Sequence, residues 1–356
     1  MWNIVNYDNK YLDDMLLMTE EYYGKEENIS NKKFIEHEYF KNPDGKAIIK
    51  LANDVENHVL AGQYIVIPRK IKVKNKEYKS VLSLNTLTRK QYRGQKVFIS
   101  LAEEVYSTCS KNDVIFCYGA PNQNSHHGFV KKMGFCDIGI MPLYLKIVKP
   151  SLLVKEKTRL SALSIPIKIF DFMGYMKKRK IAGVEFVEIN KNNYMLFEQL
   201  WDKLKNKYQV MGVRNSEYIN WRYLNMPLRD YKIIVAILNN EPCGYIIGRV
   251  TKVAEMNCGM IVDFLFTKGQ FDIGSSLLSY LKYYFDSQNV GLLGCLMKSN
   301  VEEVLCLKKA GFFVCPKFLE PQPFPIIFRQ FNSISEDITL NNFDNWFFTM
   351  GDYDVI

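Results

Sequence analysis

A glycine flanked by basic side chains lies in the segment QYRGQKVF, residues 91–98, directly before a stretch with helical periodicity. The first N–H groups of a helix have no intrahelical acceptor, and the helix dipole favours negative charge at that end. Gly94 leaves space for a bulky anion because it has no Cβ, while Arg93 and Lys96 add positive charge. The segment therefore predicts a site for a phosphate-like anion.

Two side chains further along are candidates for proton transfer. His126 belongs to the segment PNQNSHHGFVKKMGF, residues 121–135, and an ordinary imidazole titrates near neutral pH. Adjacent histidines at a helix start are mostly exposed or capping residues, so at most one of His126 and His127 can face a site. Asp263 interrupts the apolar run IVDFLF, where a carboxylate needs a partner. It can orient a substrate or anchor a domain interface.

Three further side chains are candidates for substrate binding. Tyr118 lies in the apolar run VIFCYGAP, where a core position is the alternative interpretation. The segment YINWRYL, residues 218–224, combines Trp221, which can stack on a base or sugar, with Arg222, which can bind a diphosphate. An amphipathic helix that buries its tryptophan and leaves its arginine at the rim explains the same pattern.

The elements that must position these residues follow from periodicity. A helix is predicted over residues 11 to about 23, and strands are predicted from Lys46, His58 and Ser80. The lysine-rich segment KIKVKNKEYK between the last two strands predicts an exposed edge or loop. A helix that starts at Val97, the strand VIFCYGAP and a helix that ends at Gly134 complete the series.

A similar order of elements recurs after residue 230, which indicates an internal duplication. Asn122 precedes a Gly-Phe pair by twelve residues, and Asn300 precedes a second Gly-Phe pair by eleven. The predicted fold is α+β (α/β), with two tandem domains that each hold a mixed, mostly antiparallel sheet flanked by helices. We assign residues 1–150 to the first domain, 151–190 to a connection and 191–356 to the second domain.

Composition restricts the partners. The 47 lysines and arginines exceed the 38 acidic residues and give a formal charge of +9, which favours an anionic partner. The eight cysteines form no CxxC pair, and several lie in apolar runs, so neither a metal site nor a disulfide framework is expected. The first residues lack the basic and apolar stretches of a signal peptide, which predicts a cytoplasmic protein with no membrane partner.

The spacing of two motifs carries a family resemblance. Gln91-x-x-Gly94-x-Lys96, followed by Asn122 and the Gly134-Phe135 pair, resembles the coenzyme A-binding motifs of GNAT acyltransferases. The resemblance implies that acyl-CoA is a co-substrate and that the following residues bind it: Leu87, Thr88, Gln91, Arg93, Gly94, Gln95, Lys96, Val97, Asn122, Ser125 and Phe129. It implies that residues 83–88 form a splayed strand near the thioester, with Asn85, His126 and Asp263 as catalytic candidates and Tyr118, Trp221 and Arg222 as acceptor-binding candidates.

The sequence departs from the GNAT pattern at informative positions. Lys96 stands where a second small residue is usual, and Phe129 falls near the place of a tyrosine that protonates the departing thiolate in many GNAT enzymes. The corresponding loop of the second repeat, residues 267–274, has an aspartate and no arginine. We expect the second domain to be degenerate for coenzyme A and to shape the acceptor site.

Four further segments resemble those of enzymes that N-acylate nucleotide-linked amino sugars for surface polysaccharides. They are the Arg93-Gly94 pair, the PN-x-x-S segment at 121–125, the WRY segment at 221–223 and the tail W-x-x-T-x-G-D-x-D at 346–354. This resemblance implies a dTDP-linked amino sugar as acceptor. A monomer is expected because two domains already pair within one chain, and no nucleic-acid partner is expected because the sequence shows neither a helical arm nor a basic track beyond KKRK at 177–180. An aminoacyl-tRNA-dependent transferase of the peptidoglycan-bridge type and a non-catalytic coenzyme A-binding protein are the alternatives.

Overall fold

The computed structural model describes residues 1–152, 181–253 and 256–353. Its strands have the following bounds: β1 Trp2–Asn6, β2 Ile48–Asp54, β3 Val59–Val73, β4 Lys76–Thr88, β5 Phe116–Gly119, β6 Cys136–Ile140, β7 Leu143–Ile147, β8 Val184–Glu188, β9 Val210–Gly212, β10 Lys232–Leu238, β11 Glu241–Val253, β12 Met256–Phe266, β13 Leu292–Leu296, β14 Phe313–Val314 and β15 Pro325–Gln330.

Helices flank these strands. Their bounds are α1 Leu12–Tyr23, α2 Lys32–Phe40, α3 Val97–Lys111, α4 Gln123–Lys132, α5 Leu196–Leu204, α6 Ser216–Ile219, α7 Phe271–Ser287 and α8 Glu302–Lys309. A π-helical turn, Asn220–Leu224, continues α6, and a 3₁₀ turn, Lys90–Tyr92, precedes α3. Of the predicted apolar face of α3, Val97, Leu101 and Val105 are buried and Phe98 is half-buried. As predicted, α4 ends before Gly134, whose φ is +67°.

The strands form two mixed sheets. The first has the order β1-β2-β3-β4-β5-β15-β6, with β9 added to the far end of β3, and the second has the order β14-β7-β13-β12-β11-β10-β8. Neighbouring strands of the described chain are antiparallel except for one parallel pair in each sheet, β4 with β5 and β12 with β13. This arrangement confirms the predicted fold class and the internal duplication.

Each half of the chain contributes its last strand to the sheet of the other half. Strand β7 lies between β13 and β14 of the second sheet, and β15 lies between β5 and β6 of the first. The predicted limits 1–150 and 191–356 therefore follow the order of elements along the chain but not the membership of strands in sheets. Most of the predicted connection, including the basic segment at 177–180, lies outside the described residues.

The lysine-rich hairpin differs from its predicted exposed loop. Strands β3 and β4 continue through it, and Ile71 and Val73 are buried. Strand β2 begins at Ile48, opposite Val66, which leaves β3 beyond Val66 with an open edge, and β9 pairs with that edge. Lys72 is buried there, and its Nζ donates a 2.5 Å hydrogen bond to the carbonyl of Tyr208. The prediction is confirmed at the turn, where residues 74–77 are exposed, and was wrong for residues 71–73, because alternating lysines do not reveal a covering strand from elsewhere in the chain.

The C-terminal tail passes between the two halves. Trp346 and Phe347 are 1% and 0% exposed, so they anchor the tail in the core. The Tyr118 hydroxyl donates to the carbonyl of Asp352, and the Tyr218 hydroxyl donates to that of Gly351, each at 2.9 Å. Side chains of both halves therefore fix the tail. Across the described ranges, no helix combines the length and apolarity needed to cross a bilayer.

Candidate active site

A cleft opens where the parallel strands β4 and β5 separate. Their register runs from Ser80 opposite Phe116 to Leu82 opposite Tyr118. Beyond this point β4 continues for six residues to Thr88, whereas β5 ends one residue later at Gly119. The cleft has a volume of about 1080 Å³, and its walls include residues 83–88 of β4 and residues 119–122 after β5. This volume exceeds that of a site for one small ligand.

A β-bulge shapes the wall that β4 contributes. Between the pairs Gln63 with Leu87 and Ile65 with Leu84, strand β4 contains one residue more than β3. Asn85 lies at this bulge with a left-handed φ of +49°. Its carbonyl accepts a 2.9 Å hydrogen bond from Nε2 of Gln63, and its Nδ2 donates to the hydroxyl of Tyr39 at 2.7 Å. Since a bulge redirects backbone groups, these two bonds fix the direction of the N–H groups that follow.

The glycine loop is anchored at its start. The Tyr92 hydroxyl donates a 2.8 Å hydrogen bond to Oδ2 of Asp54. The same oxygen accepts from Nδ2 of Asn57, and Oδ1 accepts from the Asn57 backbone N–H. The hydrogen bonds from Asn57 and then from Tyr92 hold the pKa of Asp54 well below its ordinary value. The carboxylate is therefore a permanent acceptor for the loop at neutral pH.

The loop has the geometry of an anion site. Gly94 has a φ of +83°, and a Cβ added to it would meet no atom within 4 Å, so any substituent would project into open space. Lys96 also has a left-handed φ, +61°, although it is not glycine. In the part of the chain that the structure describes, neither N–H meets a protein acceptor. Together with the first turn of α3, they supply donors for a bound phosphate.

Helix α4 forms the opposite wall. Asn122 is its N-cap, because Oδ1 accepts hydrogen bonds of 3.1 Å from the N–H groups of Asn124 and Ser125. A Cβ on Gly128 would lie 2.9 Å from a ring atom of Phe98, so α3 and α4 are in close contact here. The rings of Phe98 and Phe129 are 5.4 Å apart and nearly perpendicular. This wall therefore offers an apolar surface and no phenol at position 129.

The structure brings together many of the predicted residues. Seven of them line the cleft: Asn85, Leu87, Thr88, Arg93, Asn122, Ser125 and Phe129. Five more belong to the loop or to the start of α3, next to Arg93, and are not among the lining residues: Gln91, Gly94, Gln95, Lys96 and Val97.

The other two catalytic candidates lie elsewhere among the described residues. Nε2 of His126 lies 2.6 Å from Oδ1 of Asp137, outside the cleft lining, so its catalytic role stays a prediction. Asp263 is 1% exposed, and its Oδ2 accepts a 2.9 Å hydrogen bond from Nε of Arg214, which also binds Asp352 at 2.6 Å. Burial raises the pKa of Asp263, and Arg214 opposes that rise. This placement favours the interface-anchor interpretation of Asp263.

The three acceptor-binding candidates also lie away from the cleft lining. Tyr118 is buried in the core with its hydroxyl bound to the tail, as described above. Arg222 is 5% exposed, and its Nη2 donates to the carbonyl of Tyr353 at 3.2 Å. Trp221 lines a second cavity of about 870 Å³ and exchanges hydrogen bonds with His37. Their roles in acceptor binding stay predictions.

Residues that the sequence did not single out complete the cleft. Tyr22, Tyr23, Glu26 and Glu27 come from the end of α1 and the segment after it, and Arg229, Arg249 and Thr251 come from the second half. One signal was present: Arg249 interrupts the apolar run GYIIGRV, just as Asp263 interrupts its own strand. The residues near α1 carry no comparable signal, because their pattern is that of an ordinary helix end.

The corresponding loop of the second half is closed by its own carboxylate. The N–H of Gly269 donates to Oε2 of Glu302 at 3.1 Å, and Nζ of Lys207 lies 3.0 Å from the same oxygen. A glutamate therefore lies where a pyrophosphate would otherwise bind, which supports the expected degeneracy of this half. In the described ranges, no group of three or more histidine, cysteine or acidic side chains could hold a metal ion.

Comparison with known proteins agrees with this geometry. Residues 3–137 match the family model described as an acetyltransferase (GNAT) domain. This match covers the bulged strand, the glycine loop and α4. A search of the curated proteins finds no match to the sequence.

Several solved structures share the fold. A conserved Enterococcus faecalis protein, described as a probable N-acyltransferase, superposes with a TM-score of 0.64 at 11% identity and covers 93% of this chain and 72% of its own. A GCN5-related N-acetyltransferase from Anabaena variabilis gives 0.65 at 10% identity, with coverages of 93% and 73%. Saccharomyces cerevisiae N-myristoyltransferase with bound myristoyl-CoA gives 0.62 at 14% identity, with coverages of 92% and 82%.

These likenesses extend across both halves and concern the fold, since the identities are low. The domain match concerns residues 3–137, within the first half. Together they support an N-acyltransferase enzyme.

Proposed function

We propose that the protein transfers an acyl group from a coenzyme A thioester to the amino group of a nucleotide-linked amino sugar of the dTDP type. The observation that carries this proposal is the continuity of the β4–β5 cleft with the basic glycine loop. A thioester arm fits the first and its pyrophosphate fits the second. The chain would act as a monomer, since two sheets already pair within it. It would act in the cytoplasm, where both substrates are available.

The donor would be held by the first half. The N–H groups of Gly94 and Lys96 and the guanidinium of Arg93 would bind the pyrophosphate. The acyl-bearing arm would extend along Leu87 and Thr88 and pass Asn122 on the opposite wall. The apolar contact of Phe129 with Phe98 would exclude water from this part of the cleft.

In the transfer step, the neutral amine attacks the thioester carbonyl, a C–N bond forms, and the C–S bond breaks as the thiolate leaves. The oxygen becomes negative in the transition state, and backbone N–H groups after the Asn85 bulge would stabilise it. Phe129 cannot donate a proton to the sulfur. The proton released by the amine would therefore pass to the thiolate directly or through water, with His126 as the remaining side-chain candidate.

The acceptor would enter from the side formed by α1 and the second half. Glu26 and Glu27 line this side, where their charge attracts an amine in its ammonium form. The volume of about 1080 Å³ accommodates two substrates.

The test is thiol release from acetyl-CoA and 3-hydroxybutyryl-CoA with a panel of dTDP-linked amino sugars. The wild type is compared with Gly94→Trp and with a matched control, Gly269→Trp, in the corresponding loop of the second half. Both glycines have similar left-handed φ values, +83° and +78°, and at both an added Cβ meets no atom within 4 Å. Both variants therefore carry similar backbone strain.

We expect Gly94→Trp to abolish turnover and coenzyme A binding, whereas Gly269→Trp retains both. Equal loss in the two variants, with the folds intact by circular dichroism, would contradict the assignment of the donor loop. Transfer from an aminoacyl-tRNA, with no thiol release from either thioester, would replace coenzyme A as the donor and favour a transferase of the peptidoglycan-bridge type.

A further inference from the structure

We propose that Arg229 and Arg249 form a second anion subsite in the cleft, which binds a phosphate or diphosphate group of the acceptor. This inference rests on the proposed function, because it names the part of the acceptor that the second half would recognise. It adds a substrate determinant that the coenzyme A-binding loop does not provide.

The first argument is placement. Arg229 and Arg249 line the same cleft as Arg93, but they come from the second half, between the π-helical turn and β10 and from β11 respectively. Alternate residues of a strand share a face, so Thr251 lies beside Arg249 on the cleft side. The cleft thus has basic groups from both halves. The loop of the second half cannot supply a further anion site, because Glu302 accepts from its Gly269 N–H.

The second argument is local charge. Burial lowers the pKa of Arg249; Tyr231 opposes this effect, and the positive charges of Arg229 and Arg222 lower the pKa further. The three guanidinium groups are therefore within electrostatic range of one another. Arg229 and Arg249 line the cleft wall, and the buried Arg222 outside the lining adds to their positive potential, so the wall attracts a multiply charged anion more strongly than separate surface arginines do. A diphosphate has the charge to match it.

The third argument is that neighbouring groups restrain the side chains of Arg229 and Arg249. The guanidinium carbon of Arg229 lies 4.7 Å from the ring centre of Phe34, and that of Arg249 lies 5.9 Å from the ring centre of Tyr231. Nη2 of Arg249 also donates to the Thr251 hydroxyl at 3.3 Å. A guanidinium already held beside an aromatic ring loses less freedom when it forms paired hydrogen bonds with phosphate oxygens.

The experiment measures equilibrium binding of dTDP, inorganic pyrophosphate and thymidine by calorimetry in saturating coenzyme A, which occupies the donor loop. One variant, the arginine pair variant, carries both Arg229→Gln and Arg249→Gln. The control is Lys252→Gln. Lys252 is exposed on β11, the strand of Arg249, and points to the opposite face. Lys252→Gln therefore removes one positive charge without changing the cleft. Coenzyme A affinity is measured separately in each variant and in Arg93→Gln.

We expect the arginine pair variant to bind dTDP and pyrophosphate at least tenfold more weakly, with coenzyme A affinity within twofold of wild type. Lys252→Gln should bind all ligands normally, and Arg93→Gln should weaken coenzyme A alone. Unchanged dTDP and pyrophosphate affinity in the pair variant would overturn the subsite, as would equal loss in Lys252→Gln or no binding of either anion to wild type.

Failure of the proposed function has a different signature. If no amino sugar is acylated but anion binding still depends on Arg229 and Arg249, the subsite stands and the reaction is wrong. If turnover occurs and the pair variant keeps the wild-type KM for the dTDP sugar, the reaction stands and the subsite is wrong.

Discussion

Tyr92 and Asp54 join the glycine loop to the end of strand β2 through a hydrogen bond of 2.8 Å from phenol to carboxylate. The loop positions with left-handed backbone follow within four residues of Tyr92. This bond therefore restrains the anion-binding backbone from strand β2, outside the loop.

Tyr92→Phe should weaken coenzyme A binding about tenfold or more, because a hydrogen bond to a charged acceptor contributes on the order of 1.5–3 kcal/mol. The pKa of Asp54 is lowered, so the restraint is present above its ordinary value and is lost as pH falls through the lowered one. The difference between wild type and variant should therefore be constant from pH 8 to 5. Calorimetry checks this, with Tyr106→Phe in α3 as a control for the loss of a buried phenol.

Gln63→Met removes the donor to the carbonyl of Asn85 while retaining the volume of a side chain that is 1% exposed. Without this bond the bulge loses one of its two restraints, and the N–H groups that would meet the developing oxyanion become less ordered. We expect kcat to fall about tenfold, equivalent to roughly 1.4 kcal/mol, with little change in coenzyme A affinity. Steady-state kinetics would refute this role if kcat were unaffected or if only affinity changed.

Arg214→Met should destabilise the fold more than Asp263→Asn. The first change leaves Asp263 and Asp352 buried without their shared cation, at a cost of about 3–5 kcal/mol, whereas the second leaves Arg214 bound to Asp352. Urea unfolding measures both. Because the residues share one network, the double variant should lose less than the sum of the single changes, and strict additivity would show that they are not coupled.

His37 gives the fold a pH dependence. Its Nε2 donates to the carbonyl of Trp221 at 2.9 Å, and burial lowers its pKa below the ordinary 6.5. The unfolded chain then takes up a proton first, so stability is complete above about pH 6.5 and declines as pH falls towards the lowered pKa. Urea midpoints between pH 8 and 5 should decline less in His37→Gln than in wild type. The control His58→Gln, at an exposed turn, should behave as wild type. If the urea midpoint of His37→Gln declined with falling pH as much as that of wild type, His37 would be excluded as the source of the pH dependence.

Most elements were predictable from sequence because their signals are local. The apolar face of α3 and the left-handed Gly134 at the end of α4 follow from periodicity and glycine chemistry. The positions of β7 and β15 in the sheets could not be predicted, because a strand's partner depends on the whole packing arrangement. The same limit hid β9 behind the lysine-rich hairpin.

The candidate site divides in the same way. The glycine loop and the cap residue Asn122 carry a short motif, so their joint position could be predicted. The restraint of Asn85 by Gln63 and Tyr39 joins residues that are 22 and 46 positions apart, and no motif records it. Arg229 could not be assigned to the cleft because its location depends on how the second half faces the first.

The exchange of β7 and β15 makes the two halves mutually incomplete. A fragment ending at residue 152 would lack β15, so β5 and β6 would each have an open hydrogen-bonding edge. It would also carry β7 without its neighbours β13 and β14. The other fragment would have the converse defect. The polypeptide therefore resembles two interlocked subunits whose genes have been fused, and it can be separated into working parts only if both fragments are present to complement each other.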